Sequence, residues 1–180
     1  VNQKKQYILE RIAKNREQVD ALIQRQRVAP LLDRVPADAR TVLERSDDLQ
    51  RHFADGAATT AYVMAVDIRR STELMLQSRE PRLFASFLHQ VCGTLVDIVF
   101  AHRGVFEKFT GDGVLAFFPD VFTGDDAGLQ AVTAAEACHL AWTAEYRAHH
   151  KCFQTVLLDV GLGIGIDHGT LHIARFGDGC

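Results

Sequence analysis

From Thr59 onward the chain runs through an order of element types that few folds accommodate: strand, helix, hairpin, helix, strand. The first is "TTAYVMAVDI", a nearly continuous apolar strand from Thr59 to Ile68 that carries Asp67 at its end. A helix is predicted from Pro81 to His102, because Leu83, Phe84, Phe87, Leu88, Val91, Leu95 and Ile98 recur at helical spacing and Gly104 follows the last turn. The stretch "GVFEKFTGDGVLAFF", Gly104 to Phe118, reads as a hairpin about Thr110-Gly111-Asp112-Gly113, where Gly tolerates positive φ and Asp can bond to nearby backbone. A second helix, Asp125 to His149, carries Val132, Leu140 and Trp142. "TVLLDVGLGIGID" and "GTLHIARF" read as a closing strand pair, with Asp167 to Gly169 at the turn between them. The order βαββαβ followed by a further strand predicts an α+β sandwich, with helices over one face of a mainly antiparallel sheet.

Ahead of this lies a different texture. Residues 1–29 are rich in Gln, Lys, Arg and Glu and place Ile8, Ile12, Val19 and Leu22 on heptad a and d positions, interrupted by Lys5, Asn15 and Gln26. This reads as a helix able to pair with another helix or to pack on its own domain. Pro30 and Pro36 break it, a second helical stretch is predicted from Ala37 to Phe53, and Asp55-Gly56 marks the start of the main domain. The division expected is a helical extension over 1–55 and a main domain over 56–180.

With 180 residues and 47 % hydrophobic content, the chain suits one soluble domain plus an appended element. A formal net charge of −3 provides no broad basic field, so neither DNA or RNA nor an anionic membrane surface is expected as a partner. No apolar run approaches the roughly 20 residues that cross a bilayer, and the amino terminus is charged where a secretory signal is apolar. A cytoplasmic setting is the expectation. Cys92, Cys138, Cys152 and Cys180 show no C-x-x-C pairing and read as reduced structural thiols. His149, His150 and Cys152 cluster at the polar end of a helix and read as solvated surface.

The polar residues that this pattern gathers are more specific. In a βαββαβ sheet the first strand is expected beside the first strand of the hairpin, which lets Asp67 approach Asp112. Two close carboxylates raise each other's pKa, and a divalent cation between them removes that cost. Oxygen ligands favour Mg²⁺ or Mn²⁺, and a site of only two carboxylates leaves positions for water and phosphate oxygens. After Asp67, "IRRSTELM" leads from a strand end into a helix, with Ser71 or Thr72 as N-cap and Glu73 in the first turn. Exposed N–H groups at such a junction bind phosphate, and Arg69 and Arg70 add charge there.

Taken together, "VMAVDIRRST", "FEKFTGDGVLAFF" and "VGLGIGIDHG" resemble, in order and spacing, three motifs of the class III nucleotide cyclase catalytic domain, over about Thr59 to Phe176. The resemblance implies a ferredoxin-like cyclase palm in which Asp67, Asp112 and the backbone carbonyl of Ile68 hold two Mg²⁺ or Mn²⁺ ions. One ion lowers the pKa of the ribose 3′-hydroxyl, which attacks the α-phosphate. The other neutralises the β- and γ-phosphates as pyrophosphate leaves. Ile68, Arg69, Arg70, Ser71, Thr72 and Gly111 are then expected to line the nucleoside triphosphate. Lys108 falls at the family position that contacts the base. As a donor only, it suits adenine N1, cytosine N3 or uracil O4. Because Lys108 and Asp112 lie across one tight turn, the resemblance also implies a head-to-tail homodimer with shared sites.

The chain departs from the family in three places. Arg70-Ser71-Thr72 stands where the family usually has Gly-Phe-Thr, and Asp167-His168-Gly169 replaces a more usual His-Thr-Gly. The chain also stops at Cys180, before the segment bearing the family's second base contact and its transition-state Asn and Arg. It is therefore expected to be a fragment of a longer protein, because a sheet ending at its fifth strand leaves an uncovered edge. The Arg-Arg-Ser-Thr variant and short helical extension are similar to the stand-alone pyrimidine cyclases of Pycsar antiphage systems, which make cyclic UMP or cyclic CMP as an alarm signal. That places UTP or CTP first as substrate and an adenylyl cyclase making cAMP second. A diguanylate cyclase is set aside, since Gly113 occupies the position of its second acidic residue. A catalytically silent dimerisation or nucleotide-sensing module is the remaining alternative.

Overall fold

The computed structural model of the chain describes residues 32–54 and 58–172. In chain order its elements are α1 (Ala37–Arg45), α2 (Asp47–Ala54), β1 (Ala58–Arg69), α3 (Ser71–Leu76), α4 (Pro81–Ala101), β2 (Val105–Phe109), β3 (Val114–Pro119), the short α5 (Asp120–Thr123), α6 (Ala127–Ala148) and β4 (Gly161–His172). The strands form one four-stranded sheet in the order β2-β3-β1-β4, with every neighbouring pair antiparallel. The α+β class and the sheet with its two long helices agree with the sequence pattern.

The apolar character of β1 follows from its place in the sheet. It is paired along both edges, and its two faces are covered by different elements. Met64, Val66 and Ile68, each at most 2 % exposed, pack with Leu74, with Phe87, Val91, Leu95 and Val99 of α4, and with Ala131, Ala134 and Cys138 of α6. Ala61 faces the other way and joins Val35, Ala39 and Leu43 with Val105 and Phe117 in a second cluster. The residues ahead of the sheet are thus packed on it, and contacts cross the division at residue 55. The heptad-like positions Ile8, Ile12, Val19 and Leu22 and the Asp55-Gly56 pair lie outside the described residues.

Several expectations are corrected. β1 lies beside β3, not β2: the crossover through α4 returns β2 parallel to β1, and β3 runs back between them. The expected closing strand pair is one strand, β4, which runs straight through Asp167, His168 and Gly169. Its register with β1 is unbroken from Arg69↔Gly161 to Ala58↔His172, so continuous pairing overrides the local turn chemistry. The second helical stretch is two helices, because Ser46 turns extended and its Oγ accepts the Leu49 N–H at 3.3 Å, starting α2 afresh with Asp47 and Asp48 in its first turn. Val132 and Leu140 of α6 are 49 % and 74 % exposed. The buried face is Ala127, Ala131, Ala134, Cys138, Trp142 and Tyr146, whose small members let the helix lie close to the sheet. α4 is long and apolar enough to cross a membrane, with a mean hydropathy of 1.6, but Phe87, Val91, Leu95 and Val99 bury its core face against the sheet.

His149, His150 and Cys152 are half-buried, not solvated. His149 packs on Phe87 and His150 on Tyr146, with ring centroids 5.6 and 5.0 Å apart, at the rim of an aromatic cluster completed by Trp142 and Phe153. Cys92, Cys138 and Cys152 are free thiols, and burial pushes the Cys138 thiol up to about 12, which leaves it unreactive. Leu43 tests whether the amino-terminal segment belongs to the same folding unit. It is fully buried, so Leu43→Ala should cost about 2–4 kcal/mol in a single denaturant transition, whereas neighbouring Val42→Ala, half exposed, should cost under about 0.5 kcal/mol.

Candidate active site at the end of β1 and the β2–β3 turn

Side chains alternate along β1, so with Val66 and Ile68 turned to the helices, Ala65, Asp67 and Arg69 project from the opposite face. α1 and its neighbours cover the other end of that face, around Ala61, Val63 and Phe117. The end holding Asp67 is left exposed. Directly paired residues share a face, so the register Ala65↔Gly165, Asp67↔Gly163 and Arg69↔Gly161 surrounds the aspartate with glycine and alanine. A methyl group added at Gly161 or Gly165 would meet no atom within 4 Å. The "GLGIG" run therefore puts no side chain of its own on this face beside Asp67, leaving Gly161 and Gly165 open and Gly163 under the Arg69 guanidinium, with Leu162 turned to the core.

Asp112 reaches this floor because β3 pairs with β1 through Val66↔Val114. The turn closes by the Thr110 N–H donating to the Gly113 carbonyl at 3.0 Å, and Gly111 takes the left-handed φ of 86° that the turn requires. At Gly113 a Cβ would lie 2.0 Å from the Val66 carbonyl oxygen, so the two backbones meet where only glycine fits. That approach sets Asp112 against Asp67. The Asp67 carboxyl is pushed above the usual range, first by partial loss of water, then by the Asp112 charge and a hydrogen bond between the two carboxyls; Arg69 opposes the shift.

Two opposed carboxylates in such a setting have the chemistry to hold a divalent cation. Among the described residues no group of three or more His, Cys, Asp and Glu side chains could hold a metal, so there the carboxylate pair leaves coordination positions for main-chain, water or substrate oxygens. Ile68 can offer only its carbonyl, since its side chain is 2 % exposed and turned into the core. All of this fits hard divalent ions such as Mg²⁺ or Mn²⁺.

The basic residues are placed differently from one another. Arg69 lies across β4, its guanidinium occupying the space over Gly163. Arg70 is the N-cap residue of α3, in the left-handed region at φ 61°, ψ 34°, and makes no side-chain cap hydrogen bond. This corrects the expectation of Ser71 or Thr72 as the cap: they are the first two residues of the helix. Arg70 stands where the family pattern has Gly, and the backbone keeps a conformation that Gly adopts without strain. Its guanidinium is held by Glu73 and Asp159. The Asp159 contact, from the loop before β4, was missed by sequence reasoning; only the position of an acidic residue ahead of the glycine run signalled it.

Lys108 is exposed and pairs with Leu115, which pairs with Ala65. It therefore shares the face of Asp67, with β3 between them. The structure thus brings Asp67, Asp112 and Arg69 together, sets Lys108 on the same face, and turns Arg70 aside.

No protein-family model and no curated protein matches the chain. Solved structures do. The guanylyl cyclase Cya2 superposes with a TM-score of 0.55 at 23 % identity, over 64 % of this chain and 56 % of that one. The adenylyl cyclase CyaB from P. aeruginosa gives 0.56 at 23 %, over 63 % and 57 %. The fold is that of the nucleotide cyclase palm, and the aligned region spans 56–57 % of the length of these two structures.

Two outcomes test the geometry. Gly113→Ala should cost about 1–3 kcal/mol, since the added methyl group meets backbone that cannot rotate away. Asp67→Asn should raise the melting temperature in chelator, by removing the mutual repulsion, and abolish the rise that Mn²⁺ gives the parent. A parent that gains nothing from Mn²⁺ would count against the cation site.

Proposed function

We propose that the chain forms the palm of a nucleotide cyclase, converting a nucleoside triphosphate to a 3′,5′-cyclic nucleotide and pyrophosphate. The observation that carries this reading is the opposition of Asp67 and Asp112 beside a glycine strand that adds no side chain to their face, on a fold shared with cyclases of known structure. Asp67, Asp112 and the Ile68 carbonyl would hold two divalent ions, Mg²⁺ or Mn²⁺. When bound, these supply Lewis acidity at the ribose 3′-hydroxyl and neutralise charge on the triphosphate.

The chain's own residues do the rest by positioning. The open floor at Gly161 and Gly165 admits the ribose and phosphates close to the sheet, and Arg69, lying over Gly163, sets positive charge beside Asp67. The main chain of Gly111, Ser71 and Thr72 borders the triphosphate, and Arg70 can leave Glu73 and Asp159 for phosphate oxygens. In the reaction the 3′-oxygen bonds to the α-phosphorus, the bond from that phosphorus to the β-phosphate oxygen breaks, and the hydroxyl proton leaves to solvent. Lys108 donates to the base edge. UTP or CTP is the favoured substrate, on the similarity of the Arg70-Ser71-Thr72 variant to antiphage pyrimidine cyclases; ATP is the alternative that a lysine donor serves equally.

The site is shared in a head-to-tail homodimer, each carboxylate pair facing the Lys108 of the partner. The uncovered end of the sheet face bears both sets of residues and supports this arrangement. Incubating the full-length protein with each of the four nucleoside triphosphates and Mn²⁺, and identifying products by mass, tests the reaction and substrate together. Cyclic UMP or CMP supports the favoured substrate, cyclic AMP the alternative, and no product from any of the four a silent module. Asp67→Ala and Lys108→Ala chains, each inactive alone, should on mixing recover roughly a quarter of parental activity, because half the dimers are mixed and each has one intact site of two. No recovery despite demonstrated subunit exchange would sink the shared site.

A further inference from the structure

Glu107 sits between two residues given roles above or packed into the core, yet the cation site does not use it. Its place in the sheet is irregular. Phe106 pairs with Ala116, Lys108 with Leu115 and Phe109 with Val114, so Glu107 is the extra residue of a β-bulge. The bulge decides which way the lysine points. In an unbroken strand Lys108 would share the face of Phe106 and turn toward the helices; one inserted residue moves it to the face of Asp67. It also brings Phe106 and Phe109 onto one face, where their rings meet at 4.8 Å.

The bulge is held from outside the sheet. The Phe106 N–H donates to the Arg34 carbonyl at 2.8 Å, so the segment ahead of α1 occupies the free edge of β2 at this point. The Arg34 guanidinium donates to the Glu107 carboxylate at 3.1 Å. Val35 is buried in the cluster with Val105 and Phe117, and Asp38 pairs with Arg103 at 3.4 Å, on the turn leading into β2. One short segment thus grips the approach to β2, its edge and its bulge.

We propose that Arg34 is a positioning residue for base selection: by holding Glu107 at the bulge, it fixes the direction in which Lys108 meets the base. The inference rests on the cyclase reading of Lys108. Its reach is the nucleobase alone, since Asp67 and the glycine floor lie beyond β3, and Asp112 sits in the turn past the last pair of the hairpin, Phe109↔Val114, away from the Arg34 contact at Phe106.

The test uses the full-length protein and compares kcat/KM for the four nucleoside triphosphates. The Arg34–Glu107 pair is 44 % and 39 % exposed, the setting of a modest ion pair, so Arg34→Ala and Glu107→Gln should each narrow the ratio between the best and second-best nucleotide by about two- to fivefold. Arg34→Lys should retain most of the preference, and the charge-reversed pair Arg34→Glu with Glu107→Arg should restore it. Inhibition by inorganic triphosphate, which has no base, should stay at the parental level in every variant. An unchanged nucleotide ratio in active Arg34→Ala, or equal losses toward all nucleotides and inorganic triphosphate, would overturn the proposal and leave the cyclase reading standing. Should the parent bind nucleotides without turning them over, the cyclase reading fails, and the same ratios taken from equilibrium binding decide the role of Arg34. A parent that binds none of the four defeats both.

Discussion

The Val66 carbonyl occupies the place where a side chain at position 113 would begin, and much of the molecule's arrangement follows from that contact. Because Gly113 has no Cβ, the hairpin can press against β1 at the level of Asp67, and Val114 falls opposite Val66. A shift of one residue in this register would send Val114 and Ala116 out of the core and turn the alternation of β3 inside out. Core packing and the opposition of the two aspartates therefore depend on the same close approach. The electrostatic cost of that opposition, a carboxyl held above its usual range, is tolerated because hydrophobic burial fixes the strands.

On the helical face the work is done by small residues and aromatic rings. Ala127, Ala131 and Ala134 bring α6 near the sheet, while Phe87 gathers Trp142, Tyr146 and Phe153 around it. The Tyr146 hydroxyl donates to the Leu157 carbonyl at 3.1 Å and accepts from the Leu157 N–H at 2.9 Å, tying the loop before β4 to the helix. This loop carries Asp159, the partner of Arg70. The aromatic cluster thus extends its influence, through one loop, to the edge of the candidate site.

The opposite face is divided between two uses. α1 closes one end with apolar contacts, and the other end is floored with glycine beside charged groups. Burying the whole face would leave no room for a ligand, and exposing all of it would leave Ala61, Val105 and Phe117 in water. The amino-terminal segment settles this by covering only what is apolar.

The sequence by itself determined the kinds of elements and their order, because periodicity, glycine placement and helix caps act within a few residues. α4, the hairpin and the carboxylates Asp67 and Asp112 were legible for that reason, as was the family resemblance that the fold agrees with. Tertiary structure alone decided what depends on pairing between distant segments. It placed β3 between β1 and β2, because a crossover strand returns parallel and leaves a gap that an antiparallel strand fills. It drew Asp167-His168-Gly169 into β4, because β1 offered a continuous partner, and it turned Val132 and Leu140 outward once the alanines of α6 met the sheet. Arg70 at the helix cap and Arg34 at the bulge belong to the same class. Their partners, Asp159 and Glu107, lie far away along the chain, and no local pattern records a contact that exists only when the sheet has formed.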